Sequence, residues 1–273
     1  MQRYLKVFGT FARNSLVRDM TFRANFIIEI VSSLAWMGMY LGFYWLIFQN
    51  TPAIGGGDDA WTKWQFFAFL ATSMLINGIV EGLFMPNTEE LSELIRTGGL
   101  DFALLKPIDT QFLVSLHRVD WSSLANIGFA VSLLSMSLVK LQLWPTPVQW
   151  VLYPLYLLCG VGIFYSLMIT LAATSIWLGR NQTLYDFWFY ITNFSRYPME
   201  IYSGTYGAPL RKAFTFVLPV LLVVNIPARL IVRPLQDQNW PLALFALFAT
   251  AASLVISRMI FQLALGSYRS ASS

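Results

Sequence analysis

Long apolar runs, interrupted by short polar breaks, set the pattern of this chain. The first run covers about 24–48 and closes on Tyr40, Tyr44 and Trp45, the aromatic belt expected where a span meets the interface. Others cover about 64–85, 118–139 and 148–178, the last without a charge and longer than the roughly 20 residues a crossing needs. A final run covers 240–264. Upstream of the first, Leu5, Phe8, Ala12 and Leu16 recur at helical spacing with Arg3, Lys6 and Arg13 elsewhere around the wheel. That pattern predicts an amphipathic helix lying in the headgroup plane over residues 1–23.

Between 184 and 235 the pattern is harder to read. Leu184–Tyr202 is aromatic but holds Asp186, Arg196 and Glu200, and Ala213–Ala228 is apolar but interrupted by Pro219 and Pro227. Parity and basic residues favour six crossings with both termini cytoplasmic. In one layout 184–202 crosses and 203–235 is re-entrant. In the other 184–202 is interfacial and 213–235 crosses, which moves Arg196, Arg211 and Lys212 to the cytoplasmic side. Charge counting prefers the second; two prolines in one short segment prefer the first. In the first layout Arg211, Lys212, Arg229 and Arg233 gather on the outer face near lipid phosphates.

One polar island stands apart, from Met85 to Pro107 and on to Asp109, holding five of the 14 acidic residues. Asn87 suits a helix N-cap, with Glu90 completing a capping box and Glu89 favouring the positive end of the dipole. Leu91, Leu94 and Ile95 make an apolar stripe, Gly98 and Gly99 end the helix, and Asp101 caps a second turn, Phe102–Lys106, that Pro107 stops. A half-apolar helix in a connecting loop needs a protein surface to cover it, so the island is expected to be a docking element.

Composition sharpens the class. The 273 residues are 56% hydrophobic and 12% charged, about half the charge of a soluble domain. With 10 Trp, 22 Phe and 12 Tyr, the chain reads as an all-α integral membrane protein with a single membrane domain. The net charge of +4 comes from scattered basic residues and implies no nucleic acid. Cys159 and His117 are single in their kind, which excludes disulfides within the chain and His or Cys metal clusters. GxxxxGK[ST], GxSxG and HExxH are absent, so no ATP cradle, nucleophile elbow or zinc helix is expected. The N-terminus lacks a signal-peptide core and is expected to be retained. Gly55-Gly-Gly57 is a flexible turn, and the sequon Asn181-Gln-Thr183 falls on the expected cytoplasmic side. Glu29 and Glu81 lie in apolar runs, each near a span end within reach of the interface or a basic partner. His117-Arg118-x-Asp120 is expected to be an interfacial charge cluster.

Glu93-Leu-Ile-Arg-Thr-Gly-Gly-Leu-Asp-Phe-Ala-Leu-Leu-Lys-Pro107 resembles the IRxGxLDxxLLKP signature of ABC-2 type permeases, in a six-span branch that pairs with a separate ATPase. Phe194-Ser-Arg-Tyr-Pro-Met-Glu-Ile-Tyr202, Phe216-Val-Leu-Pro-Val220 and Asn225-Ile-Pro-Ala228 are similar to the pattern after that branch's fifth span. The resemblance covers nearly the whole chain. It implies spans at 24–48, 64–85, 118–139, 148–178, 184–202 and 240–264, a coupling helix at 87–107 and a re-entrant element at 203–235 marked by Pro198, Pro219 and Pro227. Coupling contacts would come from Glu89, Glu93, Leu94, Ile95, Arg96, Leu100, Asp101, Leu105, Lys106 and Pro107. Gly99 stands where many relatives carry an acid, which removes one contact or leaves it to Glu93.

The function so implied is the permease subunit of an ATP-binding-cassette exporter in a bacterial inner membrane, without catalysis of its own. ATP and Mg would bind the partner ATPase. A second permease, identical or a paralogue, and membrane lipids would complete the assembly. Trp36, Tyr40 and Phe69 are candidates to line a route for a hydrophobic or amphiphilic substrate. The rival is an ion-coupled secondary transporter working through Glu29 and Glu81, which should show internal repeats and broken helices in both halves. A membrane-embedded enzyme lacks a plausible His, Cys or metal cluster.

Overall fold

A computed structural model of the chain describes residues 2–56, 59–178, 182–235 and 238–268. Gly57, Asn181 and Gln236 lie outside that description, so the Gly55–Gly57 turn and the sequon are only partly within it. The fold is all-α apart from one two-residue hairpin pair. In order, the elements are α1 (Gln2–Thr21), α2 (Arg23–Asn50), β1 (Ala53–Ile54), β2 (Trp61–Thr62), α3 (Lys63–Leu83), α4 (Met85–Thr97), α5 (Gly99–Leu104) and α6 (Thr110–Leu116). They continue with α7 (Trp121–Lys140), α8 (Pro147–Ala173), α9 (Ser175–Leu178), α10 (Gln182–Asn193), α11 (Gly204–Lys212), α12 (Val220–Val232) and α13 (Trp240–Ser267).

Local chemistry fixes the helix ends. Asp120 Oδ1 accepts from the Ser122 N–H at 2.9 Å to start α7. Thr146 and Gln149 form a reciprocal capping box for α8, with Pro147 at its first position. Asn239 caps α13 through the Leu242 N–H.

Among the described residues, α2, α3, α7, α8 (carried on through α9) and α13 are long and apolar enough to cross a membrane singly. α3 is the hub, buried over most of its length, whereas α2 buries only Tyr44. α3 and α7 meet through small residues, since a Cβ on Gly82 would lie 2.6 Å from Leu124 Cδ2. α8 and α12 approach just as closely at Gly160, where a Cβ would sit 2.8 Å from the Val223 carbonyl oxygen.

In the region read ambiguously from sequence, neither 184–202 nor 213–235 is one continuous helix. Residues 184–202 form the 12-residue α10 and two 3₁₀ turns, Phe194–Arg196 and Met199–Ile201. α10 is about 18 Å long, less than the hydrocarbon thickness. The chain still runs along the bundle, from Trp188 against Phe164 in mid-α8 to Glu200 beside Trp61. After α11 and a π-helical stretch, Ala213–Val217, it bends by 89° into α12. The bend, Val217–Val220, faces Ile163 and Ser166 halfway down α8. Both outer limbs return to the end where α8 and α13 begin: the Gln149 amide donates to the Leu230 oxygen at 2.7 Å, and Arg211 shares a cavity with Asn239. Pro219 makes the break, where its missing donor is not needed, but α12 runs unbroken through Pro227. Pro198 opens the second 3₁₀ turn.

A buried ion network clamps this end. Glu200 pairs with Arg229 and accepts from Trp61 Nε1 at 2.7 Å, and Met199 N–H donates to Asn225 Oδ1 at 2.9 Å. Asp59 pairs with both Arg229 and Arg233. Partial burial opposes ionisation of Asp59, but the two guanidiniums prevail and hold its carboxyl below the usual range. Where the sequence suggested lipid phosphates as partners, Arg229 and Arg233 are held by acids of this chain, Glu200 and Asp59. Breaking one side of such a pair strands a buried charge. Arg229→Met is expected to destabilise the protein by about 3 kcal/mol or more, and Arg229→Met with Glu200→Met to recover part of that loss. Thermal unfolding in detergent checks both; equal stability of the single variant and wild type would discount the clamp.

Candidate functional site

The polar island folds as α4, α5 and α6 at the opposite end of the bundle, and its first helix starts earlier than the sequence suggests. α4 begins at Met85 with Pro86 in its first turn, so Asn87 lies inside it and caps nothing. No capping box forms. Asn87 is instead fully buried: Nδ2 donates to the Leu83 and Arg118 carbonyls and Oδ1 accepts from Arg118 N–H, each at 2.8 Å. It fastens α4 to the end of α3 and to the lead into α7. Glu90 meets His117 Nε2 at 3.1 Å across the same joint. Glu89 is exposed in that first stretch of α4.

Gly98, with φ +74°, turns the chain into α5 in the conformation that suits glycine. A Cβ on Gly99 would meet Leu94 Cδ2 at 2.9 Å, so a larger residue there would have to displace the end of that side chain. Asp101 lies in the first turn of α5 without capping it. α6 is bolted down more heavily. Asp109 caps it through the Phe112 N–H at 2.9 Å and pairs with Arg258 of α13. Gln111 Nε2 donates to the Tyr165 hydroxyl of α8 at 2.9 Å, which also bonds Ser115 at 3.0 Å. Helix α1 joins through Ser15, whose hydroxyl accepts from Val119 N–H at 3.1 Å, and through Trp121 Nε1, which donates to the Ala12 oxygen at 3.0 Å.

The apolar stripe expected to await a foreign surface is covered by the chain itself. Leu91 and Leu100 are 0% exposed, packed with Ile169, Ala172, Phe261 and Ala264 of α8 and α13, and Leu94 and Ile95 lie half-buried against them. What faces outward is different: Phe102 at 72% and Leu105 at 81% exposure, with Leu104, Lys106 and Pro107 exposed beside them. Glu93 and Arg96 form an exposed pair one helix earlier. Phe102 escaped the sequence analysis. Its signal was its spacing from Leu105, which sets both on one side of a short turn, away from Leu100 and Ala103.

Of the three aromatic candidates, Trp36 and Tyr40 line a cavity of about 350 Å³ between α2, α3 and α7, together with Asn77, Glu81, Asn126 and Arg196. Phe69 does not; it is fully buried against Trp61 and Phe66. Glu29 and Glu81 line a neighbouring cavity of about 670 Å³ with Arg18, Arg118 and Asp120, where Glu29 accepts from Asn25 at 2.7 Å. Bases thus interleave with the acids of that cavity. Among the described residues, the one helix pair long and apolar enough to span together yet bent by more than 40° falls in the second half of the chain.

A family model described as ABC-2 family transporter protein matches residues 34–272. No curated protein and no solved structure matches the chain. Helices built to cross a membrane and a match over most of the length define a multi-pass transport subunit. The chain belongs to the ABC-2 transporter family, as a permease subunit whose membership implies an ABC ATPase as partner.

The joint between α6 and α13 is titratable. Partial burial works against ionisation of Asp109, but the Arg258 guanidinium and the Phe112 amide outweigh it and hold its pKa below the ordinary 3.8. A lowered carboxylate pKa stabilises the fold above the unfolded value and loses that contribution as pH falls through the folded one. Asp109→Asn is expected to cost about 0.5–1 kcal/mol near neutrality, discounted for a partly exposed pair. The gap from wild type should close as pH drops below the ordinary carboxylate range. Melting curves across pH check this, and a gap constant down to strongly acidic pH would contradict it.

Proposed function

We propose that α4 and α5 form the coupling surface on which the ATPase docks, with Phe102 and Leu105 as its apolar centre and Glu93, Arg96, Lys106 and Pro107 as its rim. The observation that carries this is two large exposed apolar side chains on a segment hydrogen-bonded to α3, the lead into α7, α8 and α13. An exposed patch in an aqueous loop loses free energy on being covered, and a rigid mount passes the push to the bundle. Leu91, Leu94, Ile95 and Leu100 contribute by holding the mount together, and Asp101 by its place in the first turn of α5.

In this reading both termini and the coupling surface are cytoplasmic in a bacterial inner membrane, and the loop holding Gly56 and the start of α8 face outward. Impermeant thiol reagents on intact cells should then label Thr146→Cys and spare Thr97→Cys; the reverse would invert the map. ATP and Mg bind the partner, and this chain performs no hydrolysis. α2, with Ile27, Ile28, Val31, Met39, Phe43 and Leu46 exposed, is the face for a second permease. The cavity behind Trp36 and Tyr40 suits a hydrophobic or amphiphilic substrate, and export is the direction the family likeness supports.

Leu105→Asp and Phe102→Asp should leave the permease folded and inserted, because neither side chain is packed. Each is expected to lower recovery of the ATPase with the tagged permease, and ATP hydrolysis by the reconstituted complex, by roughly tenfold, the effect of losing a contact worth about 1.4 kcal/mol. Leu94→Ala should instead lower the melting temperature. Undiminished ATPase recovery in both aspartate variants would sink the assignment.

A further inference from the structure

The hairpin at the other end of the bundle holds a second polar pocket that the transport cycle above does not use. It is a cavity of about 470 Å³ between α11, the π-helical stretch and the start of α13, and its wall includes Tyr202, Ser203, Arg211, Lys212, Thr215 and Asn239. Two of its features favour an anion. Arg211 and Lys212 bring two positive charges, and neither has an ion-pair partner among the described residues. The 28-residue α13 presents its N-terminus there, through Asn239 and Leu242, so the positive end of a long helix dipole faces the same space.

The mouth of the cavity distinguishes a lipid from a free anion. Phe216, 59% exposed, lines the cavity and meets Phe245 at 5.2 Å between ring centroids; Phe245 in turn meets Phe248 at 6.4 Å, with Phe248 exposed on the flank of α13. These rings make an apolar ridge leading from the pocket along α13 toward the middle of the bundle. Val217 lies exposed beside the same end of the hairpin. A small anion gains nothing from such a ridge, whereas a phospholipid has acyl chains to lay on it.

We propose that this pocket binds the phosphate of an anionic phospholipid, with Arg211 and Lys212 on the phosphate oxygens and an acyl chain along Phe216, Phe245 and Phe248. The bound headgroup bridges α11 and α13, joining the free limb of the hairpin to the last span.

The test uses the full-length permease in detergent, titrated with phosphatidylglycerol carrying a photoreactive acyl chain, and reads cross-linked peptides and the lipid-induced rise in melting temperature. Cross-links are expected in 203–217 and 239–248. Arg211→Gln and Lys212→Gln, both surface changes, should each weaken lipid capture by roughly fivefold, the effect of about 1 kcal/mol per cation near anionic lipid. Arg3→Gln with Lys6→Gln on α1 should change cross-linking in those peptides little. Glycerol 3-phosphate and inorganic phosphate, which lack acyl chains, should give no comparable rise. Equal protection by either would mean that a free phosphate is the occupant and overturn the lipid. Capture undiminished by the Arg211 and Lys212 variants, or lost equally in the α1 control, would overturn the site.

Discussion

Asn87 closes three hydrogen bonds where α3, α4 and the approach to α7 converge, and it does so in a position from which water is excluded. Its amide satisfies the Leu83 carbonyl at the end of α3 and both backbone groups of Arg118. A buried amide with all its partners in place permits one arrangement, because any shift of α4 leaves several polar groups unpaired at once. α5 and α6 inherit their positions from this joint. Asp109, Gln111 and Ser115 then extend the fastening to α8 and α13, and Ser15 and Trp121 bring in α1. A segment that hydropathy marks only as a polar loop is thus tied by side-chain hydrogen bonds to α3, α8 and α13.

Helix α3 links that joint to the other end. It is about 31 Å long at the α-helical rise and buried along most of its length. One end meets Asn87 through Leu83; just before the other, Trp61 donates to Glu200 inside the ion network that holds α12. A displacement at α4 therefore has a continuous packed route to the hairpin. The small residues that let α7 and α12 lie close, Gly82 and Gly160, leave little slack for the motion to dissipate. α2 stands outside this route and offers nearly its whole surface to lipid or to another subunit.

The spans were legible because hydrocarbon imposes a length and a composition, and five runs met both. Helix ends were less so. Asn87 and Glu90 have the residue types and spacing of a capping box, but Pro86 is welcome in a first turn, and tertiary hydrogen bonds claimed the Asn87 amide. The stripe of Leu91, Leu94 and Ile95 was correctly read as a face needing cover. Sequence carries no sign of whether the cover belongs to the same chain, and here α8 and α13 supply it. For the same reason Phe102 was missed: exposure is a property of the packed chain, and a phenylalanine among leucines looks like core. The basic residues of the hairpin divide in a way no pattern reveals, since the acids that hold Arg229 and Arg233 lie 29 and 174 positions away.

The central claim is that the outward face of α5, and not the apolar stripe of α4, meets the ATPase. A photoreactive amino acid placed at position 105 or, separately, at position 94 tests it in cells without disturbing the assembly. Irradiation should join position 105 to a polypeptide carrying a Walker A motif and leave position 94 cross-linked only within its own chain. Capture of that polypeptide from position 94, with none from position 105, would contradict the account.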